Sequence, residues 1–236
     1  MKKYIGTKQI EAEPMTRGDA WGKHLLREKP STENFDDEGY HVRYEDEYES
    51  WSPKDVFEKA YKIAETPVDR MQIEAEEVNG RYVKLAAFID SGKMDEVVND
   101  TYNKCLLEIQ CGTMFGYIRL LDTRIQRMQG SDSAKVRKMN FGMAIMALKA
   151  GYPIRRSGWN GKGLMVFKQV PAHIDSDIIP KMQSLPQSAK DLILKGKGFI
   201  DYTSQCLIYN ENTGRADSWV PSISDMFADD WEIVLP

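Results

Sequence analysis

YPIRRSGWNGKGLMVFK, residues 152–168, decides how the C-terminal part of the chain folds. Tyr152-Pro-Ile-Arg-Arg and Leu164-Met-Val-Phe-Lys are two short runs of β character, and Trp159-Asn-Gly-Lys-Gly supplies the turn between them. Asn-Gly between such runs is a strong hairpin signal because both residues tolerate positive φ. An antiparallel hairpin turning on Asn160-Gly161 is therefore expected. Upstream, Met139-Asn-Phe-Gly-Met-Ala-Ile-Met-Ala-Leu-Lys-Ala-Gly predicts a helix. Asn140 suits its N-cap, Phe141, Ile145 and Leu148 share a face, and Gly151 stops it at C′. Downstream, residues 171–196 read as an irregular insertion with a helix at Ser188 to Leu194. Phe199-Ile-Asp-Tyr, Gln205-Cys-Leu-Ile-Tyr and Ala216-Asp-Ser-Trp-Val add antiparallel strands, with a turn at Asn210-Glu-Asn-Thr-Gly. Ser222-Ile-Ser-Asp-Met-Phe opens a short helix, and Trp231-Glu-Ile-Val-Leu closes the sheet.

The character of the chain changes twice before this domain. In residues 1–65, Tyr40-His-Val-Arg-Tyr-Glu alternates as a half-exposed strand with Val42 and Tyr44 on one face. Ser52-Pro-Lys-Asp-Val-Phe reads as a helix start with Ser52 as N-cap, Pro53 in the first turn and Asp55 favourable to the dipole. The acidic run 45–49 reads as a solvated strand edge. In residues 66–130, apolar side chains recur at near-heptad spacing: Val68, Met71, Ala75, Val78, Leu85, Phe88 and Ile89, then Leu106, Ile109, Met114, Tyr117, Leu121, Ile125 and Met128. That pattern predicts two long amphipathic helices in a hairpin, turning near Asp90-Ser-Gly-Lys, with a shorter helix around Asp95 to Asn99. The stripe reads as hairpin core, and a pair so exposed favours self-association. Residues 131–137 form a polar linker. The expected architecture is α+β: a small β-rich N-terminal module (1–65), a helical hairpin (66–130) and a C-terminal antiparallel β-sheet domain with short helices (138–236).

Composition excludes several classes. The 236 residues are 42% hydrophobic and 29% charged, the balance of an ordinary globular protein. No apolar run approaches the roughly 20 residues a membrane span requires, and Met1-Lys-Lys leads into polar sequence, so a cytosolic protein is expected. Lys and Arg number 11, 10 and 11 against 15, 11 and 10 Asp and Glu over residues 1–65, 66–137 and 138–236. None of these segments has the basic excess that gripping DNA or RNA demands. Any bound anion is expected to be small. Cys105, Cys111 and Cys206 form no CxxC pair and read as free buried thiols.

The C-terminal domain contains His173 alone among histidines, no GxSxG, no metal-spaced His or Cys, and no Walker loop, so no catalytic site, metal or cofactor is expected. It is rich instead in groups that hold nucleotides. Trp159, Trp219 and Trp231 offer flat faces, and stacking a base on one is worth about 1–3 kcal/mol. Arg155, Arg156 and Lys162 offer positive charge; Asn160, Asp217 and Asp225 can bond ribose hydroxyls or base edges. Each has a structural alternative. Trp231 lies in an alternating strand and reads as core, Lys162 as a solvated hairpin residue, and Asp225 as the reciprocal half of a capping box with Ser222.

Three ordered blocks carry a more specific resemblance: Met139–Gly151, then Arg156-Ser-Gly-Trp-Asn-Gly-Lys-Gly, then Trp219-Val-Pro-Ser-Ile-Ser-Asp-Met-Phe-Ala-Asp-Asp-Trp-Glu-Ile-Val. Together they resemble the Thoeris anti-defence 2 family of phage proteins over about residues 138–236. Residues 1–65 resemble a short accessory phage module, and 66–130 a helical one. The resemblance implies a sponge that binds cyclic ADP-ribose isomers, and in some members CBASS cyclic dinucleotides, without cleaving them. It further implies a homotetramer with ligand sites between protomers, acting in the cytoplasm of the infected host. Carried over, Trp159 and Trp219 would wall the bases, and Asn160, Gly161 and Lys162 would meet phosphate or ribose. Ser222 and Asp225 would bond sugar or base edges, with Arg156 supplying charge. Phe141 reads equally as pocket lining or core. The 137 residues before the domain and the 171–196 insertion depart from the usual stand-alone form. The competing readings are a phage interaction or scaffold protein and a nucleotide hydrolase.

Overall fold

The computed structural model describes residues 9–136 and 138–235, leaving the Met1-Lys-Lys start and Arg137 of the linker outside the described residues. Two compact units divide between Ile73 and Glu74.

The first unit is a three-stranded antiparallel sheet with two short helices. In chain order these are β1 (Ile10–Thr16), α1 (Arg17–Gly22), β2 (Glu38–Tyr44), β3 (Glu49–Pro53) and α2 (Lys54–Ala60). The sheet order is β1-β2-β3. Val42 is buried on the central strand, as its alternation requires, and Phe57 of α2 stacks on Tyr40 with ring centroids 4.1 Å apart. The helix start differs from expectation by one residue. Ser52 is paired with Tyr40 inside β3, so Pro53 takes the N-cap and no side chain caps the helix. The acidic run is the β2–β3 turn, where Glu47 adopts φ 62°.

The helical hairpin forms as its heptads require, with α3 (Pro67–Asp90), α4 (Met94–Val97) and α5 (Thr101–Met128). Asp100 caps α5 by accepting from the Tyr102 N–H. Tyr82 of α3 packs on Phe115 of α5 at 5.6 Å, and the Tyr117 hydroxyl donates to Glu74 at 2.5 Å. The apolar stripe of α5 is not all core. Leu121 and Ile125 are buried, whereas Leu106, Ile109, Tyr117 and Met128 are exposed. The stripe is wider than the contact with α3, and Tyr117 stays exposed even though its hydroxyl reaches Glu74. The thiols also differ from expectation: Cys105 is exposed, and Cys111 and Cys206 are half-buried.

The C-terminal domain packs a helix against a five-stranded antiparallel sheet. Its elements are α6 (Phe141–Lys149), β4 (Ile154–Arg156), β5 (Leu164–Lys168), β6 (Ala172–Ile174), α7 (Gln187–Lys195), β7 (Ile200–Tyr202), β8 (Cys206–Asn210), β9 (Arg215–Ser218), α8 (Ile223–Met226) and β10 (Trp231–Ile233). The order is β10-β4-β5-β8-β9, which places the last strand beside the first. Asn140 caps α6 through the Met143 N–H, and Gly151 leaves the helix at φ 90°. Ala144, Leu148, Ile154, Val166 and Trp231 form the buried core between helix and sheet. Two expectations change. Phe199-Ile-Asp-Tyr does not join this sheet: β7 pairs with β6, a strand inside the supposedly irregular insertion, as a separate two-stranded sheet. The β4–β5 hairpin is present, but its connection runs from Ser157 to Gly163. Positive φ falls on Gly163, at 77°, and on neither Asn160 nor Gly161. The tight two-residue turn gives way because the loop is held from outside, by Asp230 at its start and Asn212 near its end.

Candidate functional site: a clamp around three tryptophans

Asp225 lies at the centre of the candidate site. Ser222, the N-cap of α8, accepts from the Asp225 N–H, while the Asp225 carboxylate accepts from the Ser222 N–H at 3.0 Å, completing a capping box. That much is local. The other carboxylate oxygen accepts from Arg156 Nη1 at 3.0 Å and from the Trp159 indole N–H at 3.1 Å, both on the β4–β5 hairpin. Asp225 is only 7% exposed. Burial pushes its carboxyl pKa up, but the hydrogen bonds from Ser222, Arg156 and Trp159 outweigh this and lower it to about 2.

Arg156 bridges three segments. Besides Asp225 it donates to the Ser224 carbonyl and, through Nε, to Asp230 at 2.7 Å. Asp230 also accepts from the Gly158 N–H at 2.8 Å, and its carbonyl accepts from the Ser157 N–H. Its carboxyl is partly buried, which raises the pKa, but Arg156 and the Gly158 N–H hold it below the usual range. A Cβ on Gly158 would stand 2.5 Å from the Asp230 carboxylate, so a side chain there would have to displace that carboxylate. Sequence reasoning missed Asp230. It lies 74 residues from Arg156, and nothing local separates it from Asp229.

The clamp sets the tryptophans. Trp231, buried on β10, donates its indole N–H to the Asp225 carbonyl at 3.0 Å. Trp159 and Trp219, both half-buried, stand edge-on to it at 5.5 and 6.2 Å, and Phe141 packs tilted on it at 5.6 Å. Arg156, Trp159, Ser222 and Asp225 are thus bonded into one network, and Phe141 and Trp219 join it through Trp231. Asn160, Gly161 and Lys162 are exposed on the loop. The loop docks instead on the β8–β9 turn, where the Lys162 carbonyl accepts from Asn212 at 2.7 Å. Arg155 pairs with Glu232, and Asp217 with Arg215 on exposed β9.

Elsewhere, an open groove of about 710 Å³ at one end of the N-terminal sheet is lined by Glu11, Glu45, Glu47 and Glu49, with Arg43 bonded to Glu11. Its charge opposes an anionic ligand. Among the described residues no group of His, Cys, Asp and Glu is arranged to hold a metal ion, and no helix is long and apolar enough to cross a membrane.

A small α+β domain whose sheet closes over a tryptophan cluster, tied together by one arginine and two aspartates, is the class these features define. Residues 139–234 match the model of the Thoeris anti-defense 2-like domain, and residues 65–127 match the family named Sequestin. Thoeris anti-defense 2 of Bacillus phage SP01 is 32% identical over 102 residues, covering 41% of this chain and 96% of that protein. The chain belongs to the Thoeris anti-defense 2 family through its C-terminal domain. That membership supports a phage anti-defence role.

Proposed function

We propose that the C-terminal domain binds cyclic nucleotide immune signals, cyclic ADP-ribose isomers or cyclic dinucleotides, and withholds them from their effector without cleaving them. One observation carries the reading: two half-buried tryptophans, Trp159 and Trp219, flank a buried third and are held in place before any ligand arrives. Pre-set aromatic faces suit nucleobases and cost little ordering on binding. In this reading Trp159 and Trp219, with Phe141 beside them, receive the bases. Asn160, the Gly161 backbone and Lys162 meet phosphate or ribose from the exposed loop. Arg156, Ser222 and Asp225 already satisfy one another, so they act chiefly by positioning these walls. Sequestration needs affinity and no turnover, and the clamp is poorly suited to acid–base chemistry. Asp225 ionises at about 2, far from the near-neutral pKa that a general base needs.

The same reading places the chain as a homo-oligomer, a tetramer by family, in the cytoplasm of the infected host, with no nucleic-acid or membrane partner. The name Sequestin matched over residues 65–127 accords with sequestration. The test is depletion of a cyclic ADP-ribose isomer by the purified full chain, followed by heating. Intact ligand in the supernatant is the expected result, and a smaller hydrolysed product would establish a hydrolase instead. Trp219→Ala is the more informative variant and should abolish depletion in a folded chain. Trp159→Ala also removes the indole bond to Asp225 and so disturbs the clamp itself.

A further inference from the structure

The turn Asn210-Glu-Asn-Thr-Gly between β8 and β9 takes no part in the tryptophan clamp, yet it grips the exposed loop that carries Asn160, Gly161 and Lys162. The turn is first closed by its own bonds. The Asn210 side-chain oxygen accepts from the Asn212 N–H at 2.9 Å, and the Asn210 carbonyl accepts from the Thr213 and Gly214 N–H groups at 3.2 and 2.8 Å. With its backbone fixed in this way, Asn212 donates from Nδ2 to the Lys162 carbonyl at 2.7 Å. The neighbouring Glu211 N–H donates to the Gly163 carbonyl at 2.9 Å. The approach is close. A Cβ on Gly163 would stand 2.5 Å from Glu211 Cγ and 2.6 Å from Asn212 Nδ2, and Gly163 itself adopts φ 77°.

Two different devices therefore pin the loop. At its start, Asp230 holds the Ser157 and Gly158 N–H groups. At its end, Asn212 and Glu211 hold the Lys162 and Gly163 carbonyls. Between the pins, the N–H groups of Asn160, Gly161 and Lys162 make no hydrogen bond to the described residues, so the pins decide where these three residues stand. The two pins at the end are not equivalent. Glu211 uses its backbone, which almost any residue would supply, whereas Asn212 uses its side-chain amide. That amide engages a carbonyl, which leaves the Lys162 ammonium and the loop N–H groups for an anion.

We infer that Asn212 is a positioning residue of the nucleotide site: its amide sets the direction of segment 160–162 and with it the phosphate and ribose contacts that the segment offers. The inference rests on the binding reading above and adds to it a residue that acts through the loop. A loop pinned in one geometry is competent to bind in most molecules, and without the pin the apparent affinity falls with the competent fraction. Asn212 is exposed, so losing its bond leaves global stability almost unchanged.

Two measurements on the full chain test this. In the unliganded chain, NMR order parameters of the Gly161 and Lys162 amides should be near the rigid value of about 0.85 and fall below about 0.6 in Asn212→Ala. Calorimetry with whichever cyclic ADP-ribose isomer or cyclic dinucleotide the wild type depletes should show Kd raised about ten-fold, the scale of one hydrogen bond. Thr213→Ala is the control. It removes the hydroxyl that accepts from the Arg215 N–H at 3.3 Å in the same turn, leaves the loop bonds in place, and should change neither quantity. The unfolding midpoints of all three chains should coincide, whereas a residue serving only the fold would lower the midpoint. Unchanged order parameters or an unchanged Kd in Asn212→Ala, or equal losses in Thr213→Ala, would overturn the assignment. A wild type that depletes no cyclic nucleotide would remove the proposed function and this inference together, while full-strength binding by Asn212→Ala would remove the inference alone.

Discussion

Asp225→Asn tests the clamp most directly, because it keeps the shape of the side chain and removes only its charge and one acceptor oxygen. In the native chain one oxygen accepts from Arg156 and Trp159, and the other from the Ser222 N–H and hydroxyl. An amide presents an NH2 to one of these pairs whichever way it turns, so at least one buried donor loses its partner. Leaving a buried donor unpaired costs about 1–3 kcal/mol, and stranding a buried ion-pair partner about 3–5 kcal/mol. A loss near 3 kcal/mol at pH 7 is expected, read by urea unfolding with the transition followed by tryptophan emission. The pH dependence provides an independent check. The Asp225 pKa is lowered in the fold, to about 2 from an ordinary 3.8. Its contribution is therefore fully present above 3.8 and is lost as pH falls through about 2. That gap alone corresponds to about 2 kcal/mol. The stability difference between wild type and variant should shrink over that acid range. A difference below about 0.5 kcal/mol at pH 7, or one unchanged between pH 6 and pH 2, would refute the clamp as described.

Three further outcomes follow from the same geometry. Gly158→Ala drives a Cβ to 2.5 Å from the Asp230 carboxylate and should cost about 1–3 kcal/mol in thermal unfolding, with the near-ultraviolet circular dichroism of Trp159 altered. Trp231→Phe removes both the bond to the Asp225 carbonyl and core volume, and should cost about 2–4 kcal/mol by the same measurement. On the β6–β7 sheet, the hydrogen bond from His173 to Asp201 raises the imidazole pKa above 6.5. Its stabilising contribution is thus complete below 6.5 and disappears as pH rises through the folded value. An NMR titration should place His173 above 6.5, and Asp201→Asn should bring it down.

What the sequence revealed was what is local or periodic. Asn140 capping α6, the Ser222–Asp225 reciprocal cap, the α3–α5 heptads and Trp231 as core each depend on residues a few positions apart or on a regular period, which a sequence displays. The failures share a different cause. Ser52 has the chemistry of an N-cap, but pairing with Tyr40 in β3 claims its backbone and moves the helix start onward. Asn160-Gly161 has the chemistry of a tight turn, but contacts to Asp230 and Asn212 hold a wider loop and shift positive φ to Gly163. The β6–β7 pair joins strands of three residues across a connection containing a helix, too short to show alternation. On α5, periodicity revealed that apolar residues recur, but the stripe is wider than the contact with α3, and only the position of α3 decides which part is core.

In the candidate site, residue type and bonding suggest different roles. Arg156 and Asp225 are the charged residues a reader of the sequence would send to the ligand, yet Arg156 is bonded to Asp225 and Asp230, and Asp225 to Arg156, Trp159 and Ser222. Buried pairs of this kind add little net stability compared with apolar packing, since desolvation cancels much of the attraction. What they contribute is arrangement. A charge with two fixed partners permits one geometry, and here it ties the β4–β5 loop, α8 and the residue before β10 together, setting Trp159 at a fixed angle to Trp231, while Trp219 is placed by its own N–H bond to the Cys206 carbonyl. Affinity in the proposed site would then come from ring faces and from exposed Asn160 and Lys162, with the ion network setting their positions. Variants of the two sets should fail differently. Lys162→Ala should weaken ligand binding with stability unchanged, whereas Asp230→Asn should lower both together, measured as dissociation constant and unfolding midpoint on the same preparations. Equal losses of stability in both variants would break this division of roles.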